Sequence, residues 1–140
     1  MTASSDAALH DVLAAARYIA VVGHSDKPYR DSYRVGSYLR GAGYIVYAVN
    51  PNVRTLHGEM VYPDLRAVPG PIDIVDVFRR SEHLPQIVED AIAIGARAVW
   101  MQLGVVHAAA AQRAQAAGLT VVQDRCIMVD HRRLGLPRQS

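Results

Sequence analysis

Tyr18-Ile19-Ala20-Val21-Val22-Gly23-His24-Ser25 is the stretch that decides the fold. An unbroken apolar run that ends in glycine, with no polar alternation, reads as a strand buried on both faces and closed by a turn. A polar loop carrying Pro28 runs on to Arg30. Asp31 or Ser32 then caps a predicted helix whose Tyr33, Val35, Tyr38 and Leu39 face inward, and Gly41 and Gly43 stop it. A second apolar run, Tyr44 to Val49, ends at Asn50-Pro51. Strand, helix and strand in so short a span predict a parallel pair joined by a crossover.

The same alternation extends both ways. Upstream, Ser5 caps a predicted short helix over Asp6–Ala16, with Leu9, Val12 and Leu13 on one face. Downstream, residues 52–71 read as irregular, with a short strand at Met60–Tyr62 and a turn at Pro69-Gly70-Pro71. A third strand is predicted over Ile72–Phe78, interrupted by Asp73 and Asp76. A helix over Leu84–Ile94 ends at Gly95, and a strand follows at Ala98–Met101. An alanine-rich helix over His107–Ala117 ends at Gly118, the last strand is Leu119–Val122, and Cys126–Leu134 reads as a closing helical turn. The expected fold class is therefore α/β, a Rossmann-like doubly wound parallel sheet, with residues 1–140 forming a single domain.

Composition narrows the function. The chain has 140 residues, 51% hydrophobic and 20% charged, with a net charge of +2. That is an ordinary globular balance, and a chain this long buries roughly 68% of its unfolded surface. No basic run interleaves with aromatics, so no nucleic-acid partner is expected. No apolar run approaches the ~18 residues of a membrane span, and residues 1–11 lack the pattern of a signal peptide, so no membrane association is expected. Cys126 is the single cysteine, which fits a cytoplasmic protein without disulfides. The six histidines show no pair at ligand spacing, and no metal site is expected.

In an open parallel sheet, ligands bind outside the carboxyl ends of the strands. The first such loop, Gly23 to Arg30, has a glycine that lets a phosphate approach the backbone, a hydroxyl on Ser25, and charge on Lys27 and Arg30. The lesser alternative is a solvated loop with a turn glycine. It departs from the dinucleotide fingerprint, since Ser25 and Pro28 replace the later glycines. An NAD site wants an acidic residue after the second strand; here Asn50-Pro51 stands there and Arg54 follows. A basic residue suits a phosphorylated ribose, so NADP and coenzyme A both qualify at this point.

Four segments carry a resemblance that separates them. Ile19–Ser25, Tyr44–Pro51, Trp100–Val105 and Asp124–Met128 together resemble the small CoA-binding domain proteins, relatives of the nucleotide-binding domain of the succinyl-CoA synthetase α subunit. The likeness runs over roughly residues 9–135. It implies that the CoA diphosphate and ribose lie on Gly23, Ser25, Asp26, Lys27 and Pro28, and that Pro51 borders the adenine. Arg54 falls near the place of a lysine in the synthetase pattern, and Phe78 and Arg79 lie over the nucleotide. Met101, Gln102 and Leu103 track the pantetheine arm, and Cys126 falls near its end. The synthetases' phosphorylated histidine belongs to a second domain, so the ligase chemistry is not implied for this chain.

Three functions compete: a CoA or short acyl-CoA binding module without catalysis of its own, an enzyme (an NADP-dependent reductase or other oxidoreductase, or an acyl-CoA-processing protein), and an interaction protein with a vestigial site. No nucleophile and base stand in a recognisable pattern, and Cys126 and His131 on one short helix are badly spaced to pair. The binding module is the expected function, with a protein partner or homodimer left open.

Overall fold

The computed structural model describes residues 2–139. The elements run α1 (Asp6–Ala15), β1 (Tyr18–Val22), α2 (Asp31–Gly41), β2 (Ile45–Val49), β3 (Thr55–Leu56), β4 (Glu59–Met60), β5 (Ile74–Val77), α3 (Leu84–Ala93), β6 (Ala98–Met101), α4 (Ala108–Ala116), β7 (Thr120–Val122) and α5 (Ile127–Arg133). Five strands form one sheet in the order β2-β1-β5-β6-β7, every pair parallel. The two remaining strands, β3 and β4, form a small antiparallel hairpin beside it.

Period-two alternation assigns the side chains to two cores. Ala20, Val22, Val75, Val77, Val99, Met101 and Val121 point toward α3 and α4. Ile19, Val21, Ile74, Trp100 and Val122 point toward α1, α2 and α5. Both faces are covered, which explains why these strands are apolar throughout. Trp100 is fully buried in the second core, and its indole N–H donates to the Arg125 carbonyl at 2.9 Å.

The chain leaves β1 over one face, returns as β2, then crosses back over the other face to β5. β1 and β5 stay paired to their carboxyl ends, and the connections that leave them run to opposite faces, which makes this the switch point at which such sheets bind ligands.

Element bounds differ from the sequence expectation in a few places. Helix α2 is capped by neither Asp31 nor Ser32: Arg30 is its N-cap, with no side-chain cap bond. The Ser32 hydroxyl instead accepts from the Ser25 N–H at 2.9 Å. The third strand is shorter than expected, and Asp76 lies within it, not at a break. Tyr62 joins β2 through a single parallel bridge to Val49. After α2, Gly43 takes φ +95°, and a Cβ there would stand 2.1 Å from the Gln139 carbonyl oxygen, so only glycine lets the C-terminal segment dock.

Candidate functional site

The loop after β1 is held shut by its own hydrogen bonds. Gly23 takes φ +90°, and its N–H donates to the Val49 carbonyl at 2.8 Å. The Ser25 hydroxyl accepts from the Lys27 N–H at 3.0 Å, and the Arg30 N–H donates to the Lys27 carbonyl at 3.0 Å. From β2, the Asn50 amide donates to the His24 carbonyl at 3.0 Å, and its oxygen accepts from Asn52 N–H at 2.9 Å. These bonds fix the loop before any ligand arrives, and α2 begins with no side-chain cap on its first N–H groups.

Between this loop and the end of β5 lies an open cleft of about 650 Å³. Gly23, Ser25, Asp26, Lys27, Arg30 and Phe78, all expected from the sequence, line it. Tyr29, Asp31, Ser32, Asn50, Asn52 and Val53 line it as well. Asp31 is held at the helix N-terminus, where its charge is favourable, and pairs with Arg34.

A second hollow, about 390 Å³, adjoins the first, and Asp31 and Phe78 line both. Its other walls are Arg34 and Val35 of α2, Gln102, Leu103 and Val105 after β6, and Cys126, Met128 and Val129 around the start of α5. Gln102 is buried, and its side-chain oxygen accepts from the Ile127 N–H at 3.1 Å, tying the β6 loop to α5. Asp124, at φ +56°, accepts from the Gly104 N–H at 2.7 Å. Arg125 grips Asp130 through two bonds of 2.7 and 2.8 Å. Cys126 is thus presented to the slot by a braced segment.

The remaining expected residues are placed elsewhere. Met101 is fully buried against α3 and α4, because alternation along β6 turns it from the face that carries the slot. Pro28 and Arg54 line none of these hollows, and the backbone of Arg54 is engaged in accepting from Val61 N–H at 2.9 Å. Pro51 and Arg79 line a smaller cleft of about 180 Å³ on the α3 side, where Arg79 donates to His83 Nε2 at 3.2 Å. The Arg79 stem still crosses Gly23: a Cβ on Gly23 would lie 3.3 Å from it.

Sequence reasoning missed Tyr29, Arg34, Val53, Met128 and Val129. They are ordinary loop and helix residues whose role is set only by which neighbours meet across the sheet edge. His131 does not face Cys126 as a base. Its Nδ1 is bonded to the Tyr38 hydroxyl at 2.8 Å, and burial holds its pKa below the usual histidine value. Among the described residues, no three His, Cys, Asp or Glu side chains gather as a metal site, and no helix is long and apolar enough to cross a membrane.

A five-stranded parallel sheet covered by helices on both faces, with clefts at its switch point, defines the class: a Rossmann-like α/β domain. The chain belongs to the CoA binding domain family, which matches residues 17–132. An uncharacterized Bacillus subtilis protein, YneT, is 41% identical over 127 residues, covering 91% of this chain and 94% of its own. A hypothetical protein from Pyrococcus horikoshii OT3 is 38% identical with a TM-score of 0.90, over 94% of this chain and 92% of that one. The dinucleotide-forming acetyl-coenzyme A synthetase 1 of Ca. Korarchaeum cryptofilum shares the fold, with a TM-score of 0.67 and 23% identity, over 75% of this chain and 25% of that one.

Proposed function

We propose that this protein binds coenzyme A or a short acyl-CoA as a stand-alone domain and carries out no chemistry alone. One observation carries the reading: the cleft has two unlike ends joined at Asp31 and Phe78. The first end offers Lys27, Arg30, hydroxyls and the start of α2, a setting for phosphates. The second is a narrower, mainly apolar slot with a thiol on its wall, a setting for the pantetheine arm. Membership of the CoA binding domain family supports the same ligand. Cys126 without a base, and His131 turned into the core, support binding without catalysis.

Titrating the two halves of the ligand separately tests the reading. Adenosine 3′-phosphate 5′-diphosphate and pantetheine are each expected to bind more weakly than CoA and to bind together without competing. Val129→Asp should weaken pantetheine and leave the nucleotide half unchanged. Competition between the halves, or tighter binding of either half than of CoA, would contradict a single continuous site.

A further inference from the structure

His24 is an unusual residue to find at the glycine turn. Its side chain is fully buried although it belongs to a loop at the mouth of the cleft. Nδ1 lies 2.8 Å from the Ser25 carbonyl oxygen, and Nε2 lies 3.1 Å from Arg40 Nη1. Arginine only donates, so Nε2 accepts and the proton resides on Nδ1, which donates to Ser25. Gly36 of α2 makes room for the ring: a Cβ there would stand 2.3 Å from Nε2.

The charged and titratable surroundings are all identifiable. Arg40 and Tyr33 approach from α2, and the Tyr33 ring is edge-on at 6.1 Å. His57, in the β3–β4 turn, accepts or donates with the Tyr33 hydroxyl at 3.0 Å, and Glu59 of β4 acts on Arg40. Burial holds the His24 pKa down to about 4, with Arg40 and His57 adding to the fall. The ring is neutral across the physiological range, as its accepting bond from Arg40 requires.

We infer that His24 is the positioning residue of the nucleotide cleft, a buried strut held from behind by Arg40 that fixes the Ser25 turn where the ligand diphosphate is to lie. This rests on the CoA-binding reading above. The strut acts through Ser25: its carbonyl is held by the ring, its N–H by Ser32, and its hydroxyl by the Lys27 N–H. With all three fixed, Lys27 and the start of α2 keep one orientation toward the cleft, and the ligand spends little free energy ordering them.

Calorimetric titration of CoA into wild type, His24→Ala, Gly36→Ala and the double variant tests this. Each single variant should raise Kd about tenfold, equivalent to about 1.4 kcal/mol. Adding Gly36→Ala to His24→Ala should cost nothing more, since the added methyl then fills vacated space. Nitrogen-15 NMR of the wild-type ring should show a protonated Nδ1. Gly36→Ala keeps the test open should His24→Ala fail to fold, because it displaces the ring without removing it. Folded single variants that lose melting temperature yet bind CoA like wild type would overturn the positioning role. Losses that multiply in the double variant, or a proton on Nε2, would do the same. Wild type that does not bind CoA would instead overturn the binding reading itself.

Discussion

Asp76 is the residue that most strains the rules of burial. It is fully buried in the middle of β5, between Val21 and Trp100 on the neighbouring strands, and neither carboxyl oxygen has a hydrogen-bond partner. Burial raises its pKa well above the usual carboxylate value. The sign of the consequence follows. Below the unfolded-chain pKa, about 3.9, the proton is held in both states and the linkage changes nothing. Above it the unfolded chain ionises while the folded one keeps its proton, so stability falls as pH rises until the folded-state pKa is reached. Asp76→Val should raise stability by roughly 1–3 kcal/mol at pH 7 by removing unsatisfied oxygens. Urea unfolding at pH 4 and pH 7 checks it: the gain should be larger at pH 7, and an equal gain at both would refute the account of the carboxyl.

At the same scale, Lys27 lines the cleft and Arg54 does not. Lys27→Ala should weaken CoA by roughly 1.5–3 kcal/mol, the worth of a charge-assisted hydrogen bond, with the fold unchanged. Arg54→Ala should weaken it far less, and calorimetry on both variants makes the comparison. Cys126 is half-buried on the wall of the slot. Incubation with CoA disulfide should add one CoA mass per chain through a mixed disulfide, in which the Cys126 thiolate attacks one sulfur and free CoA leaves. Reductant should release it and Cys126→Ser should abolish it. Intact mass spectrometry without any adduct would mean that the thiol points away from the ligand's end.

Elements were legible where one residue type carried the signal, and less so where the signal lay between elements. The apolar runs of β1 and β6 and the glycines after the helices identify themselves, since burial on both faces and positive φ each leave few choices. Helix α4 begins where the sequence suggests, yet its cap was not foreseen. The His107 ring, not a Ser, Thr, Asp or Asn, accepts from the Ala110 N–H at 3.1 Å. His107→Ala should therefore cost about 1 kcal/mol in stability, a usual cap loss, read by thermal unfolding. Ser32 stands at a helix start, where a hydroxyl ordinarily caps, but its partner, Ser25, lies across a loop turn that periodicity does not describe. The β3–β4 hairpin is likewise too short to leave a pattern.

For the whole molecule, alternation of strands and helices was enough to predict the parallel sheet, and the Gly23, Asn50 and Phe78 loops singled out in the sequence meet around one open cleft at its edge. Reading the site finer than that needed the strand order. The order β2-β1-β5-β6-β7 brings Asp31 and Phe78 to the join of the two hollows, while the pleat of β6 turns Met101 to the opposite core. The account of function rests on the ligand that this joined cleft selects. A stability panel under ligand excess measures it most directly. CoA should bind with a Kd on the order of micromolar and, at a hundredfold excess over Kd, stabilise the fold by about 2.7 kcal/mol. Dephospho-CoA should stabilise less, and NAD hardly at all. Greater stabilisation by NADP than by CoA would contradict the account.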